Sequence, residues 1–242
     1  MVRALWIVVA LLVAIGVGAS VRRTIYPADS LTRLDSARTV FLDMTGVVDP
    51  LAADRPAEVR RMDGPFAAHP DVTLLHVIPG ALFLILAPVQ FLPFVRRRFL
   101  TFHRWSGRVL LMMALVIAPT ALFFGVLMPF GGTGEAIAIA LFAVMFLFAL
   151  ATAWQAIRRG QVARHREWMI RAFAIAIAIS TVRVVGSFVE LPFTVMGIRP
   201  AAGFVISVWT SLLMTVVAAE LWISRTRVDP TGASSPRDAS LS

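Results

Sequence analysis

The sequence predicts an all-α membrane protein with six transmembrane helices. Three observations carry that prediction. Hydrophobic residues make up 58% of the 242 and charged residues only 15%, with a mean hydropathy of +0.80, whereas a soluble domain runs nearer half apolar and a quarter charged. Six apolar runs are long enough to cross a hydrocarbon core, which takes roughly 20 helical residues. The charges between those runs are arginines gathered in particular loops: all 23 basic residues are arginine.

The first run, residues 4–21, follows Arg3 and ends in Gly16, Gly18, Ala19 and Ser20. Its length favours an uncleaved anchor, and its small-residue end also suits a signal peptide. The segment 22–71 balances seven arginines against eight acids. Long loops translocate largely regardless of charge, so it is expected outside, with one or two surface helices. The remaining spans are expected at 72–94, 109–130, 136–157, 172–193 and 201–223. Helices are required there because backbone amides in lipid have no water to bond, and the apolar residues lack the alternation of a β-barrel. The tail 229–242, rich in Ser, Pro and Asp, is expected to be disordered. The chain thus divides into an anchor (1–21), an extracytoplasmic loop (22–71), a four-helix core (72–193), a sixth helix (194–228) and the tail. The first and sixth spans are expected at the periphery of the core.

Orientation follows from the arginines. The loop after the second span carries Arg96, Arg97, Arg98, Arg104 and Arg108. The loop after the fourth carries Arg158, Arg159, Arg164, Arg166 and Arg171. Cytoplasmic loops hold such excesses, which puts both termini in the cytoplasm of an inner-membrane protein. With the basic residues beside apolar runs, the expected partners are the bilayer and its anionic headgroups rather than nucleic acid. A homo-oligomer or a larger membrane complex is also expected.

These two loops repeat a pattern. Arg96-Arg97 leads to His103-Arg104, and Arg158-Arg159 leads to His165-Arg166, all four offset by 62 positions. Trp105 with Arg108, and Trp168 with Arg171, follow at an offset of 63. Two pseudo-repeated hairpins, spans two to three and four to five, account for this, as parallel repeats do in transporters. The plainer account is that arginine pairs and tryptophans recur wherever a chain re-enters a membrane. If the repeat is real, His103 and His165 face one another at equal depth.

The stretches His69-Pro70, Leu75-His76, Gln90-Phe91, Phe102–Arg108, His165–Arg171 and Arg183 resemble a bacterial family of predicted membrane proteins catalogued as domain of unknown function 2306. The resemblance covers roughly residues 66–190. It implies a membrane protein and singles out the histidines, and it implies no particular activity.

Chemistry is concentrated in few residues. There is no cysteine, which excludes thiolate metal sites and disulfides. Walker, dinucleotide-binding, His-Glu-x-x-His and Gly-x-Ser-x-Gly signatures are absent, which argues against soluble-type kinase or hydrolase chemistry. His103 and His165 are placed to hold a haem b between them, with Arg104 and Arg166 for its propionates. Helix capping or lipid phosphate is the favoured reading, because each histidine is followed directly by arginine in a strongly basic loop. His69 and His76 share one segment and cannot clamp a second haem. Arg183, expected near the middle of the fifth span, is costly there by roughly 2.5–3.5 kcal/mol. It must face the interior or a wet cavity, with Glu190 rather than Glu220 as the nearer partner. Three functions follow: a small-solute, lipid or structural membrane protein with a polar cavity around Arg183; a haem b or quinone-linked electron carrier using His103 and His165; and an accessory subunit whose outer loop docks a partner.

Overall fold

A computed structural model of the chain describes residues 2–26, 40, 44–46, 55–196 and 199–227. The tail and most of the segment 27–54 lie outside the described residues. Among those described, the helices are α1 (Val2–Ile25), α2 (Arg55–Ala68), α3 (Pro70–Gln90), α4 (Pro93–Arg98), α5 (Leu100–Leu122), α6 (Thr133–Arg158), α7 (Val162–Val195) and α8 (Pro200–Thr226). A π turn, Phe123–Leu127, continues α5. The described residues form helices and no strands, and α1, α3, α5 with its π turn, α6, α7 and α8 are each long and apolar enough to span a membrane.

Two helix starts differ from the sequence expectation. α5 begins at Leu100 and α7 at Val162, so His103, Arg104 and Trp105, like His165, Arg166 and Trp168, stand on helices rather than in loops. An apolar run marks where a helix enters hydrocarbon, not where its hydrogen bonding begins, and arginines near the end reach back to the interface. Proline at the first helical position of α3, α4 and α8 occupies a site whose N–H has no intrahelical partner.

The core joins Phe83 and Ala87 of α3, Leu110, Ala114 and Ala118 of α5, Phe146 and Leu150 of α6, and Ala172, Ile175 and Ala178 of α7. Its alanines let helices approach closely, which is how membrane spans gain packing energy without a hydrophobic driving force between them. α8 lies along α7 and adds Leu212 to this cluster. α1 is outermost: 6% of its apolar stretch is buried by protein, against 44% for α7. It docks where Gly16 allows. A Cβ there would overlap Ser180 Oγ and stand 2.6 Å from a Leu84 methyl.

The bundle therefore has two ends. One, the arginine-rich end, carries the α3–α5 and α6–α7 connections and the last turn of α8. The opposite end carries the last turn of α1, α2, the start of α3 and the π turn.

Candidate functional site

At the opposite end, α2 is fastened onto the bundle rather than lying free on its surface. Arg23 of α1 pairs with the carboxylate of Asp63, which is 1% exposed. The same guanidinium stacks 4.2 Å from the Phe66 ring, and Phe66 stacks on Phe124 of the π turn at 4.4 Å. Thr73 of α3 donates its hydroxyl to the Phe66 carbonyl at 2.8 Å. The π turn follows Pro119, which lacks the N–H of a regular helical bond; such turns cluster at functional sites.

Beneath this cap lie His76 and Arg183. His76 Nδ1 is 3.0 Å from Thr120 Oγ1. That hydroxyl directs its one proton to the carbonyls of Val116 and Ile117, so Nδ1–H of His76 is the donor. Arg183 is close enough to act electrostatically on His76, and Arg22 and Arg23 act on Arg183. This sets Arg183 in the α2-capped half of the bundle, level with the second turn of α3. α7 is 34 residues long and starts ten residues earlier than its apolar run.

The guanidinium of Arg183 donates to the Ile179 carbonyl at 2.8 Å. Among the described residues no carboxylate reaches it; the Glu190 side chain lies outside them. Arg183 is exposed on its side of α7. On α7 the exposed stripe of Ile179, Arg183 and Ser187 is narrow, bounded by buried Ser180 and Gly186. Arg22 Nε is buried without a hydrogen-bond partner, as is one carboxylate oxygen of Glu58 on α2. His69, at the α2–α3 junction, packs edge-on against Phe123 at 5.0 Å and stands apart from His76 by almost two helical turns.

At the arginine-rich end the repeat becomes geometry. The amide of His103 bonds to the Phe99 carbonyl and that of His165 to the Gln161 carbonyl, so both histidines are the fourth residue of their helices. Trp105 meets Arg108 at 5.3 Å and Trp168 meets Arg171 at 4.8 Å in matching cation–π contacts. His103 and His165, on alternate helices of the core, are near enough to interact electrostatically. Neither caps its own helix. His165 Nδ1 donates to the Ala153 carbonyl of α6 at 2.9 Å, and His103 Nδ1 is buried with no partner.

Arg96 and Arg104 also act on His103, and Arg166 on Arg96. Burial first, then the charges of Arg166 and Arg97, hold the Arg96 guanidinium below its ordinary pKa. The acids at this end are already engaged. Glu220 takes a two-pronged bond from Arg171, 2.6 and 2.8 Å, and Glu167 takes one from Arg227, 2.9 and 3.1 Å. Glu167 holds the Arg227 guanidinium above its usual pKa. Arg166 donates to Thr226 Oγ1 at 2.8 Å. These contacts bolt α7 to α8.

The structure thus gathers His103, His165, Arg104 and Arg166 at one end and His76 with Arg183 at the other. Sequence reasoning gave no site role to Arg22, Asp63 and Thr120 at the α2 end, or to Arg96, Gln90 and Ser106 at the arginine-rich end. Gln90 carried a usable signal, being a lone amide in an apolar run. Among the described residues no group of three His, Cys, Asp or Glu could hold a metal ion.

No curated protein and no solved structure matches this chain. Residues 73–223 match the family described as predicted membrane protein, DUF2306. That match reaches into α8, beyond the stretch whose motifs showed the resemblance, and it begins after His69. Covering more than half of the 242 residues, it places the chain in that family: this is a membrane protein of domain of unknown function 2306.

Proposed function

We propose that this chain is a multi-pass protein of the cytoplasmic membrane that binds the anionic head of a membrane-soluble small molecule at the exposed Arg183. One observation carries the reading: among the described residues, an exposed arginine within a span is bonded to a helix carbonyl and lies within electrostatic reach of Arg22 and Arg23. A charge within a span costs free energy unless something compensates it, and no described contact of Arg183 supplies a counter-charge. An anion would. An apolar groove of about 370 Å³, lined by Trp6, Val13, Ile85 and Pro88 among others, lies farther along α1 and α3, the helices of Arg22 and His76, toward the arginine-rich end, and suits a hydrocarbon tail. The arginine-rich end faces the cytoplasm with both termini in this reading.

The test is oleate binding to the detergent-purified chain, with oleyl alcohol as the neutral control. A hydrogen bond to a charged group contributes about 1.5–3 kcal/mol, so Arg183→Met should weaken oleate binding roughly 10–100-fold and leave the alcohol unaffected. Equal oleate affinity in wild type and variant would remove the proposal.

A further inference from the structure

The polar cluster at the arginine-rich end has unspent hydrogen-bonding capacity of two opposite kinds. Gln90 is 6% exposed. Its Nε2 donates to Ser106 Oγ at 2.7 Å, and the Ser106 proton goes on to the Phe102 carbonyl at 2.5 Å. This chain of bonds fixes the amide orientation and leaves Oε1 as a buried acceptor without a donor. A buried polar atom left unpaired is destabilising.

Gln90 Oε1 lies against Gly107, 3.8 Å from where a Cβ would stand. Gly107 is one helical turn after His103, so His103 and the glycine that Gln90 Oε1 lies against stand on the same face of α5. Arg96 and Arg104 bear on His103 from the same end. Neither has a carboxylate partner among the described residues, since Glu167 and Glu220 are occupied by Arg171 and Arg227. An anion alone would satisfy the arginines and repel Gln90 Oε1. What fits both is an oxyanion that carries a hydroxyl donor beside it.

We propose that Gln90, His103, Arg96 and Arg104 form a second site, distinct from the Arg183 site, for a phosphate ester bearing an adjacent hydroxyl, the chemistry of a glycerol phosphate. The arginines and His103 Nδ1–H take the phosphate oxygens, as guanidinium does well. The hydroxyl donates to Gln90 Oε1. His165, held to Ala153, forms the opposite wall.

The full chain in nanodiscs tests this with three probes. Phosphatidylglycerol and phosphatidylethanol carry the same charge and differ in the headgroup hydroxyls, and glycerol 3-phosphate is the soluble counterpart. The wild type should bind phosphatidylglycerol about tenfold more tightly than phosphatidylethanol. Gln90→Leu should erase that preference while keeping residual binding. Arg96→Gln, on the exposed α4, should weaken both lipids about equally without touching the core. If glycerol 3-phosphate competes with the same dependence on Gln90, the site stands and its ligand is a solute instead of a lipid. Equal binding of the two lipids by the wild type, or a preference that survives Gln90→Leu, overturns the proposal. So does a sharp haem absorbance in the reduced protein that is lost in His103→Ala.

Discussion

Asp63→Ala is expected to lower stability by about 3 kcal/mol, the low end of the cost of breaking a buried ion pair, and to reduce the melting temperature in detergent by roughly 6–12 °C. Asp63 is 1% exposed and the Arg23 side chain 13%, so solvent screens the pair little. Its loss removes a carboxylate from Arg23 and with it the bond that fastens α2 to α1. The stack of Arg23 on Phe66, and of Phe66 on Phe124, depends on the same docking. Asp63→Asn keeps the shape and one hydrogen bond and should fall between alanine and wild type. Thermal unfolding of the three proteins checks this. A shift of less than about 2 °C for the alanine variant would mean that α2 is held by other contacts.

Gly125→Val should cost about 2 kcal/mol through overpacking. A Cβ on Gly125 would stand 2.7 Å from both Ile139 Cγ atoms and 2.9 Å from its Cβ. The last of these is fixed to the backbone of α6, so rotating a side chain cannot relieve it and the π turn must move away from α6. That displacement would carry Phe124 off Phe66 and loosen the cap over His76. Adding Ile139→Ala should recover part of the loss. A double variant no more stable than Gly125→Val alone would show that the clash lies elsewhere.

Much of the architecture was legible in the chain. Lipid as solvent imposes about twenty apolar residues per crossing, and the spans declared themselves on that basis alone. The 62-residue offset has a structural counterpart: His103 and His165 are each the fourth residue of their helices. Helix starts were read too late because hydropathy reports immersion, and Arg104 and Arg166 remain helical beyond the hydrocarbon boundary. The partners were less legible still. Nothing near Asp63 in sequence points to Arg23, forty residues earlier, since that pair arises from the docking of α2. Glu220 was correctly set aside as a partner for Arg183, but its bond to Arg171 depends on how α8 lies along α7. Gln90 was visible as a polar residue in an apolar run, and only the direction of the Ser106 proton shows that its carbonyl oxygen is left over.

The central claim is that Arg183, exposed on α7, is reached by water within the membrane span. Since the chain has no cysteine, an Arg183→Cys variant offers a single thiol to a membrane-impermeant reagent, which reacts with the thiolate and so requires water. Met112→Cys, on an exposed apolar face of α5, serves as the lipid-facing control. Labelling of the Arg183→Cys variant but not of the Met112→Cys variant in intact cells is the expected result. Failure of the Arg183→Cys variant to label in both intact cells and inside-out vesicles would contradict it.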